Sequence, residues 1–150
     1  MLKGIDALLT PELLRWMMEM GHDDALVLAD ANFTAVRYAQ GKPIIRLPGT
    51  SMLRVVQAVT SLLPLVADEK HPVAYMQVSG TPVGYRSALQ REVLDHLVPQ
   101  MLDGQSAEAL ERYDFYARAR DAFAIVLTGE QQPYGNFLLR KGAIGENLRP

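Results

Sequence analysis

Short apolar runs alternate along the chain with longer amphipathic segments, and this alternation restricts the fold more than any other feature. The clearest predicted strand is "FAIVLT" at 123–128, which is apolar and β-branched and is followed at once by a glycine. The other predicted strands lie within 25–30, 44–47, 72–79 and 137–142. Strands that alternate with helices are typical of a sheet covered on both faces. We therefore expect one three-layer α/β/α domain over residues 1–150, with a central, largely parallel or mixed sheet.

The first helix has clear start and stop signals. Thr10, Pro11 and Glu12 supply a hydroxyl N-cap, a proline at the first helical position and an acidic residue favoured by the helix dipole. Gly21 is the expected residue after the C-cap. The helix is expected to bury an apolar stripe formed by Leu13, Leu14, Met17, Met18 and Met20.

Three later segments also favour helices. One is expected to begin at a cap on Thr50 or Ser51, and another covers 85–102 until Pro99 disturbs it. The segment 107–123 is rich in Ala, Glu, Leu and Arg, so propensity alone predicts a helix throughout it.

The composition and the N-terminal segment exclude several classes of protein. A net charge of −2 argues against a nucleic-acid-binding surface, which usually makes a domain basic. The absence of cysteine excludes disulfides, thiolate metal sites and a cysteine nucleophile. No charged leader precedes an apolar segment, and the apolar runs are far shorter than the roughly 20 residues that span a bilayer. We expect a cytoplasmic protein without a membrane segment.

Most motifs of enzyme active sites are missing. The chain has no glycine-rich phosphate loop and no G-x-S-x-G elbow. His22, His71 and His96 are not spaced as a helical zinc pair, so we predict no metal site. His71 precedes a strand and His96 lies within an amphipathic helix, and both are interpreted as structural or solvent-facing residues.

The remaining polar candidates allow two interpretations each. His22 follows a helix C-terminus, where the dipole favours an imidazolium, but it could equally transfer protons. Asp30 and the loop 129–136 follow predicted strands, where α/β domains gather small-molecule sites, yet they could be ordinary turn residues. Arg112 could bind a ligand or be one more charge on a helix face.

Two blocks of the sequence resemble the L-fucose mutarotase / D-ribose pyranase family. They are "MLKGIDALLTPELLRWMMEMGHDDALVLADANF" at the start and "FYARARDAFAIVLTGEQQPYGNFLLRKG" near the end. Their order and spacing fit the family pattern of "PELL", "MGHGDE", "FYERA", "AFAIV-TGE" and "YGN-LLKKG". The second block resembles the fucose-type branch more than the ribose-type branch.

The resemblance implies an isomerase that interconverts anomers or ring forms of a free monosaccharide, L-fucose or a related aldose, without a cofactor or metal. It places the general acid/base on His22, with Tyr134 as a second proton-transfer candidate. The implied substrate-binding residues are Asp30, Arg112, Tyr134, Gly135 and Asn136. It also implies a homo-oligomer, commonly a decameric ring, with sites completed across subunit boundaries.

The implied chemistry matches these residue types. Mutarotation opens a hemiacetal, so one proton leaves the anomeric hydroxyl while another reaches the ring oxygen, and neither step requires a nucleophile. Asp30 could orient the imidazole or accept a sugar hydroxyl, while Arg112 and Asn136 can donate to sugar oxygens. Two other classes stay open: a non-catalytic sugar-binding or assembly subunit, and a scaffold for protein interaction.

The chain departs from the family pattern at four places. Asn32 stands where fucose-type members often have histidine, and "GHDDA" at 21–25 replaces "GHGDE". Tyr113 replaces a phenylalanine, and the segment before it, 107–112, is helix-prone where the family has a β-branched strand. These departures bear on the identity of the sugar and on the role of Arg112 more than on the type of reaction.

Overall fold

A computed structural model describes residues 2–145 of the chain. Its helices are α1 (Pro11–Glu19), α2 (Ala35–Ala39), α3 (Met52–Thr60), α4 (Ala88–Leu97) and α5 (Arg112–Asp121), with a 3₁₀ turn at Val98–Gln100. Its strands are β1 (Ala25–Ala29), β2 (Ile44–Leu47), β3 (Val73–Met76), β4 (Ala107–Leu110), β5 (Ala124–Thr128) and β6 (Phe137–Arg140).

The strands form one mixed sheet in the order β2-β5-β1-β6-β3-β4. β1 and β2 pair with β5 in parallel, and β3 pairs with β4 in parallel. β6 runs antiparallel to both of its neighbours, β1 and β3. Five strands therefore end at one edge of the sheet, which we call the carboxyl edge, and β6 begins there.

Helices cover both faces of the sheet. Leu26 and Leu28 of β1 point into a core with α1, α3 and α4, whereas Val27 and Ala29 point into a second core with α2 and α5. This alternation follows from the two-residue period of a strand. The predicted three-layer α/β/α class with a mixed central sheet is confirmed.

α1 begins as predicted. The Thr10 hydroxyl accepts a hydrogen bond from the Leu13 N–H at 3.2 Å, and Pro11 occupies the first helical position. Leu13 and Met17 are buried, but Met18 is 81% exposed, so its place in the buried stripe was wrong. Met18 lies one residue beyond Met17 and therefore turns away from the core.

The end of α1 differs from the expected glycine cap. Gly21 follows the helix but does not adopt the left-handed conformation, and Asp23 does so instead, with φ 66°. The Lys141 ammonium group donates hydrogen bonds to the carbonyl oxygens of Met17 and Met20. A lysine from a distant segment therefore satisfies the carbonyls that a left-handed glycine usually helps to cap.

Propensity failed in the segment predicted to be a helix from 107 to 123. Residues Ala107–Leu110 form β4, because they pair with β3 along its whole length. Only from Arg112 does the chain become helical, with the Glu111 side chain accepting from the Tyr113 N–H at the cap. Sheet pairing therefore overrides a helix-prone sequence at this strand.

Several predicted bounds were too wide, and the short helix α2 (Ala35–Ala39) was not predicted. The strand within 72–79 is limited to Val73–Met76, and the helix within 85–102 starts after its Ser87 cap and ends at Leu97. The 3₁₀ turn that follows contains Pro99, which confirms the predicted disturbance there. Within residues 2–145, no helix is long and apolar enough to cross a membrane.

Candidate active site

The carboxyl edge of the sheet gathers most of the predicted site residues. Asp30 follows β1, Arg112 follows β4 after one intervening residue, and Asn136 immediately precedes β6. Because β6 runs opposite to the other strands, its first residues lie at the same edge as their last ones. The loop with Tyr134 and Gly135 also ends there.

Asp30 and Asn136 form the buried centre of this edge, each with 3% of its surface exposed. Asn136 Nδ2 donates to Asp30 Oδ2 at 2.8 Å, and the Asp30 backbone N–H donates to Asn136 Oδ1 at 2.9 Å. Asn136 Nδ2 also contacts Met76 Sδ at 3.8 Å. The amide of Asn136 is therefore engaged within the protein and orients Asp30.

The Asp30 carboxylate also interacts with two backbone N–H groups. Asn32 donates its N–H to Oδ1 at 3.0 Å, and the N–H of Gly135 lies near enough to lower the pKa of Asp30. Burial nevertheless raises the pKa of Asp30, and these hydrogen bonds offset that effect only in part. A carboxylate has roughly four lone-pair positions, and the bonds from Asn32 and Asn136 leave some of them for a ligand hydroxyl.

Arg112 opens α5 and lies against Tyr113. Its Nη2 donates to the Tyr113 hydroxyl at 2.9 Å, and its guanidinium lies 4.8 Å from the Tyr113 ring centroid. Its Nε is buried, and no atom within residues 2–145 accepts from it. A buried donor without an acceptor costs free energy, so this arrangement of the guanidinium is unfavourable at Nε.

Tyrosine side chains surround these polar groups. Tyr116 lies one turn beyond Arg112 on α5 and stacks on Tyr38, with ring centroids 4.6 Å apart. The charges of Arg112 and Asp30 both act on its pKa. Burial is the main reason that the pKa of Tyr116 is raised. Sequence reasoning missed Tyr38 and Tyr116 as site residues, although the four-residue spacing from Arg112 to Tyr116 would have placed Tyr116 on the same helix face.

Tyr134 is held in a left-handed backbone conformation, with φ 62°. This conformation is uncommon for a residue with a bulky side chain and is found where surrounding contacts impose it. Arg112 lies near Tyr134. The structure thus brings together Asp30, Arg112, Tyr134, Gly135 and Asn136.

His22 lies at the opposite edge of the sheet, before the first residue of β1. β1 has five residues that rise about 3.3 Å each, so His22 and Asp30 of one chain lie roughly 20 Å apart. The His22 side chain is 48% exposed, and its Nε2 lies 3.3 Å from the Asp68 carboxylate. One chain therefore does not bring the predicted proton-transfer histidine to the other site residues.

Two features mark the surface around His22. An apolar groove of about 430 Å³ runs beside it, lined by Leu14, Met17, Met18, Met20, Leu62, Leu63, Pro64 and Ile144 together with His22. On the other side, Asp23 forms an ion pair with Arg140 at 2.6 Å, which the glycine of the family pattern could not form. Asp23 occupies the left-handed conformation that a glycine would adopt without strain.

The other two histidines are engaged in local hydrogen bonds. His71 Nδ1 lies 3.0 Å from the Ser106 carbonyl oxygen, and His96 Nε2 lies 3.1 Å from the Thr60 hydroxyl. Among residues 2–145, no three or more His, Asp or Glu side chains are grouped so that they could hold a metal ion.

The carboxyl edge presents groups that can form hydrogen bonds with hydroxyls. A buried carboxylate supplies an acceptor, Arg112 supplies donors, and tyrosines supply both hydroxyl groups and flat apolar faces. Buried polar groups of this kind beside aromatic rings give a small-molecule site its orientation and its specificity.

Comparison with known proteins identifies relatives that cover nearly the whole chain. The RbsD / FucU transport protein family matches residues 3–144. The human fucose mutarotase is 41% identical over 150 residues, which cover 97% of this chain and 96% of the human protein. An L-fucose mutarotase of Haemophilus influenzae is 38% identical over 143 residues, covering 95% of this chain and 96% of that protein.

The fold has solved counterparts. The crystal structure of the Streptococcus pneumoniae fucose mutarotase in complex with L-fucose aligns with a TM-score of 0.85 at 33% sequence identity, covering 96% of this chain and all of that one. The resemblance noted in the sequence is thereby confirmed. By sequence and by structure, this chain belongs to the RbsD / FucU family.

Proposed function

We propose that this protein is a mutarotase that interconverts the anomers of L-fucose or a closely related free aldose. The observation that carries the proposal is the buried Asp30 carboxylate, oriented by Asn136, at the same edge of the sheet as the Arg112 guanidinium. This arrangement offers one acceptor and one donor to adjacent sugar oxygens. Relatives that share about 40% of their residues with the chain are fucose mutarotases.

The reaction needs only binding and proton transfer, so these residues are sufficient without a cofactor. The Asp30 carboxylate accepts a hydrogen bond from one sugar hydroxyl, and Arg112 donates a hydrogen bond to a second sugar oxygen. Tyr134 supplies a hydroxyl beside them and is the second candidate for proton transfer. His22 serves as the principal general acid/base, because a neutral imidazole can both take and return a proton near pH 7.

His22 reaches this site from a second copy of the chain. Within one chain the histidine and Asp30 lie at opposite edges of the sheet, so only another subunit can join them. The surface beside His22 is apolar and exposed at Met18, Leu62 and Ile144, as a subunit interface requires. An interface that joins two different edges is heterologous, and repeated copies of it form a ring when the rotation between neighbouring subunits closes. A decamer built from such rings is part of the proposal.

A non-catalytic sugar-binding subunit is the second candidate function. It is favoured by Asn32, which stands at a position where fucose-type members often have histidine. Unlike histidine, asparagine cannot transfer protons at neutral pH. However, Asn32 contributes its backbone N–H to Asp30, and that contact does not depend on its side chain. We therefore favour the enzyme, acting in the cytoplasm as one domain over the whole chain.

Saturation-transfer NMR on a panel of L-fucose, D-ribose, galactose and rhamnose tests the proposal. The protein should accelerate anomer exchange most strongly for L-fucose. If calorimetry detects sugar binding while exchange rates equal those in buffer, the non-catalytic alternative is correct.

A further inference from the structure

Gln90 is a polar side chain that is completely buried behind the site. It lies in the first turn of α4 and forms a capping box with Ser87, whose backbone N–H donates to Gln90 Oε1 at 3.0 Å. Its Nε2 donates to the carbonyl oxygen of Met76 at 2.7 Å and to that of Tyr134 at 3.0 Å. Both donors and the acceptor of this amide are therefore used.

The bond from Gln90 to Tyr134 fixes a peptide unit that also lies near Asp30. The carbonyl of this unit belongs to Tyr134 and accepts from Gln90. Its N–H belongs to Gly135 and lies near enough to the Asp30 carboxylate to lower the pKa of that group. Gln90 therefore fixes the peptide plane from the side of its carbonyl.

Two further observations indicate that this segment needs such support. Tyr134 has a left-handed backbone conformation, which a tyrosine keeps only when its surroundings impose it. Gly135 packs so closely on α4 that an added Cβ would lie 2.9 Å from Leu89 Cδ2. Adjacent residues of α4, Leu89 and Gln90, therefore contact the two residues of the same peptide unit.

From this geometry we infer that Gln90 is a positioning residue for the proposed reaction. It holds the Tyr134–Gly135 peptide plane, which sets the direction of the Tyr134 side chain. Gln90 itself lies behind these residues and does not touch the substrate. The catalytic part of the inference rests on the proposed mutarotase function, whereas the structural part does not.

Gln90→Met tests the inference, because methionine fills a similar volume but cannot donate to the Tyr134 carbonyl. Val93→Ala is the matched control, since Val93 is also fully buried on α4 but packs in the core away from the loop. Well below the melting temperature of each variant, Q90M should slow L-fucose anomer exchange at least tenfold, while V93A stays within twofold of the wild type.

A second readout distinguishes positioning from a general loss of stability. In the Y134F background, where the Tyr134 hydroxyl is already absent, Q90M should slow exchange less than threefold further. Equal losses in both backgrounds, or an equal loss in V93A, would overturn the inference.

Hydrogen-exchange mass spectrometry separates this inference from the proposed function. Amides in the loop 129–136 should exchange at least tenfold faster in Q90M than in the wild type and V93A. If the wild type does not accelerate anomer exchange, the proposed function fails. Amide exchange in the loop 129–136 still tests whether Gln90 holds that loop. Unchanged protection of the loop in Q90M would overturn the positioning role in either case.

Discussion

Asp30 and Asn136 bind each other through two hydrogen bonds of opposite direction, side chain to side chain at 2.8 Å and backbone to side chain at 2.9 Å. The residues are more than a hundred positions apart in sequence, and the antiparallel insertion of β6 beside β1 brings them together. In this arrangement Asn136 orients the carboxylate rather than presenting its own amide to a ligand.

Asn136→Ala should lower the free energy of unfolding by about 1–3 kcal/mol, because it leaves buried Asp30 groups without their partner. Urea unfolding measures this loss. Asn32→Ala is the control, since the exposed Asn32 contacts Asp30 through its backbone N–H, which alanine retains. Equal stability of N136A and the wild type would contradict the role given to this pair.

The pH dependence of stability should carry the signature of Asp30. Burial raises the pKa of this carboxyl in the folded state, so between the ordinary value of about 3.9 and the raised value only the folded state keeps the proton. Stability contributed by Asp30 is therefore lost as the pH rises through this window. The melting temperature of the wild type minus that of Asp30→Asn should decrease from pH 3 towards neutrality. A difference that rises with pH would show that hydrogen bonds, and not burial, dominate the pKa.

Tyr113→Phe restores the residue of the family pattern and removes the hydroxyl that accepts from Arg112. If this hydroxyl helps to orient the guanidinium, KM for the sugar should rise roughly two- to fivefold with kcat unchanged, corresponding to a hydrogen bond worth about 0.5–1 kcal/mol. NMR exchange rates measured over a range of sugar concentrations give both constants. Tyr85→Phe removes a hydroxyl from another partly exposed tyrosine and should change neither.

Much of this fold follows from the sequence, because hydrophobic periodicity and capping signals agree for α1, β1, β2 and β5. β4 was not predictable locally, since its pairing with β3 comes from a segment some thirty residues earlier. The end of α1 was also beyond local reasoning, because the cap comes from Lys141 rather than from a left-handed Gly21.

The site residues, too, could be predicted from the sequence only in part. The family pattern identified Asp30, Arg112 and the "YGN" residues, and the fold brings these residues to one edge. The position of His22 at the other edge was implied by the predicted strand within 25–30, because residues that flank a strand lie at its opposite ends. Ser87 and Gln90 match the Ser-x-x-Gln pattern of a capping box, but nothing in the sequence indicated that the Gln90 amide also reaches Tyr134.

Mixed oligomers should reveal whether two chains share one site. His22→Ala and Arg112→Ala should each be nearly inactive alone. When they are refolded together in equal amounts, about a quarter of the sites should combine an intact His22 with an intact Arg112 from a neighbour. Activity that stays at the level of the separate variants would contradict a shared site.

Saturation-transfer NMR on L-fucose with the wild type and His22→Ala is the decisive measurement. The wild type should exchange the anomers far faster than buffer at neutral pH, and His22→Ala should lose about 10²–10⁴-fold of that rate while its melting temperature is unchanged. Anomer exchange at the buffer rate with folded wild-type protein would contradict the assignment of this chain as a mutarotase.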